Sequence, residues 1–213
     1  MLGVCIGAGG LPKWPQNEPV MLTVDGLVGD QHRHPQHGGL DKALSVFANS
    51  DYRALEAAGF KPKDGGAWAV GAMGENLTLD LGACDPLEVC IGDTLFNDNA
   101  AGSGVILQVS EPRRPCFNLE VHHPDLEQAM RDQMRAGFLL RVQQAGSIAK
   151  CDALTLVQGN GMPLRRCNQL YLIDIREGSP EQRQAALAML LAEPGLSEGF
   201  KGQARKKAVG GLG

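Results

Sequence analysis

The segment at residues 109–118 holds the side chains of this chain that are best suited to chemistry. Two prolines bracket Arg113 and Arg114, and Cys116 follows the second proline directly. Because proline fixes its own φ and restricts the residue before it, we expect a stiff, extended turn here, with neither helix nor strand pairing. A thiol held beside two permanent positive charges favours its thiolate form. The pattern therefore predicts a thiolate suited to nucleophilic attack or to binding a soft metal.

A second polar loop holds three of the five histidines, His32, His34 and His37. Imidazole is a common ligand of zinc, nickel and copper, so one hypothesis is a metal site. The alternative is a solvated loop whose turn at Gly38 and Gly39 needs positive φ. A third hypothesis is that the backbone N–H groups of these glycines, beside His37, join Lys42 to hold a phosphate or another oxyanion.

These loops, together with a third at Glu75 and Asn76, offer cations, backbone donors and one activated thiol. This set suits an anionic ligand held near a thiolate. One candidate ligand is a soft, high-valent metal carried on a phosphorylated organic cofactor, and another is a small anionic electrophile attacked by Cys116. The structural alternative is that Cys116 is an ordinary buried residue and that the arginines are solvated.

The elements that position these loops are predicted to be short strands separated by turn signals, a pattern typical of a barrel-like or folded sheet. Apolar runs predict strands at residues 2–6, 20–24, 43–47, 75–79, 105–109, 138–142, 153–157 and 170–175. The strands at 138–142 and 153–157 are expected to pair antiparallel, with a bend near Gly146. Short helices are predicted at residues 51–58 and 124–137.

The C-terminal part of the chain has a different pattern. Ser179, Pro180 and Gln182 form a predicted capping box with proline at the first helical position. This helix should end before Pro194, and Ser197 is expected to cap a further short helix. The sequence therefore predicts a mainly β domain at residues 1–176 and a helical appendage at residues 177–213.

Composition limits the function classes. The chain has 213 residues and a formal net charge of −4, which argues against general binding of nucleic acid. Its six cysteines include no CxxC pair, which argues against a disulfide scaffold and a zinc ribbon. The first residues do not resemble a secretory signal, and no apolar run approaches the roughly 20 residues of a membrane span. We therefore expect a cytoplasmic protein with reduced thiols and no membrane association.

Several motifs, taken in order, give the chain a resemblance to the MOSC (molybdenum cofactor sulfurase C-terminal) domain family, and specifically to its stand-alone bacterial YiiM-type members. The motifs lie at residues 9–13 (GGLPK), 26–30 (GLVGD), 37–43 (HGGLDKA), 74–78 (GENLT), 91–93 (IGD), 111–116 (EPRRPC), 137–142 (GFLLRV) and 194–197 (PGLS). Any one of them is weak, but the ordered set is specific and spans nearly the whole chain.

The resemblance implies a β-rich, barrel-like fold that binds molybdenum cofactor. It implies that Cys116 ligates molybdenum and that His37, Lys42, Asn76, Arg113 and Arg114 contact the pterin or its phosphate. It also implies reduction of small N-hydroxylated compounds, including hydroxylaminopurine-type base analogues, with electrons supplied by a separate protein. Two alternatives stay open: a carrier of the cofactor or of sulfur as a Cys116 persulfide, and a zinc- or nickel-binding protein that uses the three loop histidines.

Overall fold

The computed structural model describes residues 1–32, 37–97 and 104–210, and its main element is a mixed eight-stranded sheet. The strands are β1 (Gly3–Ile6), β2 (Trp14–Pro15), β3 (Val20–Thr23), β4 (Gly26–Leu27), β5 (Leu44–Ala48), β6 (Leu77–Leu79), β7 (Thr94–Phe96), β8 (Ile106–Pro112), β9 (Phe138–Gln144), β10 (Gly146–Ile148) and β11 (Thr155–Val157). The large sheet has the order β11-β7-β8-β9-β5-β6-β1-β2, and β10, β3 and β4 form a smaller sheet.

The large sheet is antiparallel except where β5 and β6 run parallel. The sheet-rich class predicted from the sequence is thus confirmed. Among the described residues, β11 and β2 are the two ends of the strand order, so the sheet is folded and open rather than a closed barrel.

Strand β5 lies near the middle of the sheet and packs apolar side chains on both faces. Leu44 and Val46 pack into the main hydrophobic core, whereas Phe47 packs into a second core with Tyr52 and Leu55. Because successive side chains of a strand point to opposite faces, one short strand anchors two cores. The sheet therefore has packed side chains on both faces.

The helices follow the strands along the chain. They are α1 (Asn49–Ala57), α2 (Leu126–Asp132), α3 (Leu164–Gln169), α4 (Ile175–Glu177), α5 (Pro180–Ala192) and α6 (Glu198–Gly210). No helix in the described ranges combines the length and the apolar character that a membrane crossing requires.

Two strand predictions at this end of the chain are wrong. Residues 170–175 do not form a strand, because a π-helical segment at Leu170–Asp174 joins α3 to α4. A short apolar run is compatible with a buried strand and with a buried helix, and its packing partner decides between them. Strand β11 pairs with β7 rather than with β9, so the predicted antiparallel pair around Gly146 does not form.

The predicted C-terminal caps are confirmed. The Gln182 N–H donates to Ser179 Oγ at 3.3 Å, and the Ser179 N–H donates to Gln182 Oε1 at 2.7 Å. Ser197 Oγ accepts the Phe200 N–H at 3.0 Å and so caps α6. The division at residues 176 and 177 stays a prediction, but side chains of the second segment, including Leu190 and Phe200, lie in the main core.

Burial of Cys5 on β1 predicts a loss of stability at high pH. Burial, followed by the nearby Glu75 carboxylate, raises the pKa of this fully buried thiol from 9.0 to about 12. The unfolded chain therefore releases this proton near pH 9 while the folded chain keeps it. The stability that this group contributes is complete below pH 9 and is lost as pH rises towards 12, by about 1.4 kcal/mol per pH unit.

The check is urea unfolding of the wild type and Cys5→Ala at about pH 8, 9.5 and 10.5. We expect the wild type to be the more stable protein at the lowest pH, with its advantage shrinking as pH rises. An advantage that stays constant across this range would contradict the assignment.

Candidate functional site

Strand β8 carries the Arg113–Arg114–Cys116 motif into the site. Its pairing with β9 continues through Pro112, opposite Phe138, and the Arg113 N–H donates to the Gly137 carbonyl at 3.0 Å. The prediction that the whole segment lacks strand pairing is therefore wrong for its first residues. At Cys116 the predicted extended backbone is present, with φ −134° and ψ 162°. The prediction that the segment contains no helix is wrong for its last two residues, because a short 3₁₀ helix begins at Phe117 and runs to Val121.

A row of side chains across three strands forms the base of a cavity of about 450 Å³. Ser45 on β5 and Glu111 on β8 are both in register with Leu139 on β9, and all three line the cavity. Their neighbours Leu44 and Leu140 point to the opposite face, into the main core. The period-two alternation of the strands thus separates a polar, open face from the apolar core.

This cavity brings together six of the residues predicted from the sequence: His37, Lys42, Asn76, Arg113, Arg114 and Cys116. Gly38 and Gly39 lie in the loop after His37 but do not line the cavity. Gly39 has φ +110°, so the predicted positive φ is confirmed there, whereas Gly38 does not have a positive φ. Cys116 is half-buried, and its thiol is free. The three polar loops that the sequence marked separately therefore share one cavity.

Lys13 also lines the cavity, and sequence reasoning missed it because it follows a plain glycine-rich loop. Its Nζ lies 2.7 Å from Asp30 Oδ2, and the side chain of Asp30 is only 2% exposed. Burial lowers the pKa of Lys13, and the Asp30 carboxylate opposes that shift. The Gly7 N–H donates to the other Asp30 oxygen at 2.8 Å, which fixes the carboxylate.

Asn76 connects this ion pair to the sheet. Its Nδ2 donates to Asp30 Oδ2 at 2.9 Å and to the Cys5 carbonyl at 3.2 Å. Its Oδ1 accepts the Ser45 N–H at 3.0 Å and the Ser45 hydroxyl at 3.1 Å. Both ends of the amide are thus engaged within the protein, so Asn76 orients the site through Asp30, and direct contact with a ligand stays a prediction.

Arg113 has a guanidinium that the protein satisfies only in part. Nη2 donates to the Met73 carbonyl, whereas Nη1 is buried and has no hydrogen-bond partner in the part of the chain that the structure describes. Burial lowers the pKa of Arg113, and the nearby Glu75 carboxylate opposes the shift. A buried donor without an acceptor is costly, and a bound anion would remove that cost.

Glu111 links the cavity to the C-terminal helices. It is 1% exposed, its Oε1 lies 3.6 Å from Lys42 Nζ, and its other oxygen accepts the Ser197 hydroxyl. Arg114 donates to the Tyr171 hydroxyl at 3.2 Å and to the side-chain oxygen of Gln203. These helical partners are not among the predicted site residues, since their place beside the motif depends on tertiary packing.

The histidine loop is described only in part, because His34 lies outside the described residues. His32 and His37 line the cavity, and His32 Nε2 is 3.8 Å from Asp30 Oδ2. Burial, and then the charge of Lys13, lowers the pKa of His32. Among the described residues, no group of three or more histidines, cysteines or carboxylates is arranged to hold a metal ion.

Comparison with known proteins places the chain in a family. Residues 33–155 match the MOSC domain model. A protein called "Reductase" from Gibberella moniliformis is 34% identical over 149 residues, which are 68% of this chain but only 25% of that protein, so the chain spans about a quarter of this relative's length. The uncharacterized protein YflK of Bacillus subtilis is 30% identical over 203 residues, which cover 93% of this chain and 84% of YflK.

Solved structures agree with this match. The crystal structure of YiiM from Geobacillus stearothermophilus superposes with a TM-score of 0.75 at 25% identity and covers 97% of each chain. That of YiiM from Escherichia coli gives a TM-score of 0.74 at 25% identity and covers 98% of this chain and 92% of that one. With a sheet-rich fold of this type and a family match across more than half of its length, this chain belongs to the MOSC domain family.

Proposed function

We propose that the protein binds molybdenum cofactor in the 450 Å³ cavity and reduces N-hydroxylated compounds, with Cys116 as the molybdenum ligand. The observation that carries the proposal is that the Cys116 thiol, which forms no disulfide, lines the same cavity as Arg113, whose buried Nη1 lacks a partner among the described residues. Membership of the MOSC family supports association with this cofactor, and one relative is named a reductase.

The donor set fits such a group. A thiolate is a soft ligand that suits a high-valent thiophilic metal. Lys13, Lys42, Arg113 and Arg114 line the same cavity and supply the charge-assisted donors that a phosphate requires. The cavity volume also falls within the range of about 300–1,000 Å³ that is usual for cofactor sites.

In this proposal the residues of the chain bind the cofactor, orient the substrate and handle protons. Bound molybdenum cofactor would supply a metal that exchanges two electrons. The overall reaction consumes two electrons and two protons, breaks the N–O bond of a hydroxylamine, and yields an amine and water. Since its lowered pKa keeps His32 neutral at neutral pH, its Nε2 can accept a proton and pass it towards the cavity. The electrons come from a separate donor protein.

A small cavity that includes Phe117, the residue after Cys116, is our candidate for the substrate position. Leu11, Phe117, Asn118 and Val121 line this cavity, which has a volume of about 230 Å³. It shares Leu11 and Asn118 with the main cavity, and Phe117 is 65% exposed. An exposed aromatic ring next to a polar cavity suits stacking of a flat heteroaromatic base, such as a hydroxylaminopurine.

The test is purification from a molybdenum-replete, cofactor-producing host, followed by elemental analysis, pterin extraction and assay of hydroxylaminopurine reduction with a chemical electron donor. We expect about one molybdenum and one pterin per chain, together with turnover. Full cofactor content without turnover would instead favour a carrier of cofactor or sulfur. Zinc or nickel in place of molybdenum would overturn the proposal in favour of the histidine loop.

A further inference from the structure

Helix α6 forms a wall of the cavity. It begins at Glu198, beyond the MOSC match, which ends at residue 155. Phe200 and Ala204, at i and i+4, are fully buried in the main core and fix the helix in place. Gln203 and Lys207 have the same spacing on the adjoining face, and both line the cavity. The helix thus presents an amide and an ammonium group to the site.

Three elements converge at this wall. Arg114 extends from the motif after β8, and its Cζ lies 5.5 Å from the ring centroids of both Tyr171 and Phe200. Lys207 Nζ lies 4.2 Å from the centroid of the Tyr171 ring. These cation–π contacts hold two positive charges against one aromatic side chain, which is itself only 8% exposed. The cations are therefore positioned by packing rather than by carboxylates.

Within residues 1–32, 37–97 and 104–210, no carboxylate neutralises the positive charge at this wall. Elsewhere in the cavity Lys13 pairs with Asp30, Lys42 with Glu111 and Arg131 with Glu127. In the described ranges no carboxylate forms an ion pair with Arg114 or Lys207. Burial, followed by the positive charges of Arg176, Arg131 and Arg114, lowers the pKa of Lys207. Cations gathered in this way raise the local potential and favour a multiply charged anion.

The types of donor indicate which anion fits. Arg114 offers a planar guanidinium, Lys207 a compact ammonium, and Gln203 and Tyr171 an amide and a hydroxyl group. A phosphate monoester carries a charge of about −1.5 to −2 and three strong acceptor oxygens, so it can use several such donors together. A carboxylate has one charge and two oxygens and would leave more of this wall unused.

We propose that Arg114, Tyr171, Gln203 and Lys207 form an anion subsite that binds the phosphate monoester of a molecule held in the cavity. The identity of that molecule rests on the proposed function, whereas the subsite itself does not. Two sources share this chemistry: the phosphate of the pterin cofactor, and the phosphate of a nucleotide substrate. The segment beyond the family match would then be part of the binding site.

The first experiment uses neither cofactor nor turnover. Inorganic phosphate is titrated calorimetrically into cofactor-free protein, for the wild type, Lys207→Ala and Lys206→Ala. Lys206 is the neighbouring, solvent-exposed lysine of the same helix and does not line the cavity. We expect Lys207→Ala to weaken binding by about tenfold or more, while Lys206→Ala binds like the wild type and Lys207→Arg recovers most of the affinity.

The second experiment identifies the source of the phosphate. If the cofactor supplies it, Lys207→Ala purified from a replete host should contain several-fold less pterin than Lys206→Ala. If the substrate supplies it, pterin content stays equal, and KM rises for a hydroxylaminopurine ribonucleoside monophosphate but not for the free base. The subsite is refuted if Lys207→Ala matches Lys206→Ala in phosphate affinity, pterin content and KM. If Lys207→Ala binds phosphate about tenfold more weakly than the wild type, but the wild type itself takes up no molybdenum, the subsite is supported and the proposed function is contradicted.

Discussion

Cys116→Ser should yield a folded protein with almost no bound molybdenum and with reductase kcat/KM lowered by more than about 100-fold. Serine keeps the size of the side chain but replaces a soft sulfur donor by an alcohol that stays protonated at neutral pH. Loss of an outer-shell partner of a metal ligand typically costs about 10–100-fold, so loss of the ligand itself should cost more. Molybdenum per chain by elemental analysis, and steady-state rates with hydroxylaminopurine, measure the two effects.

Cys151→Ser is the matched control, because Cys151 is exposed and does not line the cavity. It should retain wild-type molybdenum and turnover. Because Cys151 is exposed and Cys116 is only half-buried, both substitutions should leave the free energy of unfolding within about 0.5 kcal/mol of the wild type. Full molybdenum content in Cys116→Ser would show that another group holds the metal, even if activity were lost.

The segment around Cys116 shows which features of the site local sequence pattern can predict and which it cannot. The prolines and arginines around this cysteine predict an extended segment, and the backbone at Cys116 is extended. Local pattern does not reveal which strands lie side by side, and therefore which side chains of a strand face the site. Glu111 stands in the same motif, yet its place in the cavity follows only from the pairing of β8 with β9.

The helical wall was harder to predict for a related reason. The caps at Ser179 and Ser197 are local signals and were found. The packing of α6 against Arg114 depends on buried contacts of Phe200 and on the hydrogen bond from Ser197 to Glu111, which join distant parts of the chain. The apolar run at residues 170–175 predicts a strand, yet Leu170–Asp174 is π-helical, because such a run suits either element. Local propensity does not resolve such cases, since tertiary packing decides them.

Glu75 supports the second large effect, which is on stability. The carboxylate is fully buried, and its Oε1 accepts three hydrogen bonds: from the Tyr52 hydroxyl at 2.7 Å, the Gly71 N–H at 2.9 Å and the Thr78 hydroxyl at 2.6 Å. Glu75→Ala leaves these buried donors without an acceptor. At about 1–3 kcal/mol for each unsatisfied group, with partial relaxation, we expect the free energy of unfolding to fall by about 3–6 kcal/mol. Urea unfolding at neutral pH measures it.

Glu56→Ala is the control for loss of a glutamate as such, because Glu56 is exposed at the end of α1 and should change stability by less than about 0.5 kcal/mol. A cost below about 1 kcal/mol for Glu75→Ala would refute the structural role of this carboxylate.

Glu75→Gln separates the hydrogen bonds from the charge. The glutamine carbonyl can occupy the place of Oε1 and keep the three donors satisfied, and its amide would occupy the place of Oε2, which has no partner among the described residues. This variant should therefore lose less than half as much stability as Glu75→Ala. It also removes the largest negative contribution that opposes the effect of burial on Arg113. If Arg113 holds an anionic cofactor as proposed, the more positive pocket should retain at least as much pterin as the wild type. Lower pterin content in a folded Glu75→Gln protein would contradict that assignment of Arg113.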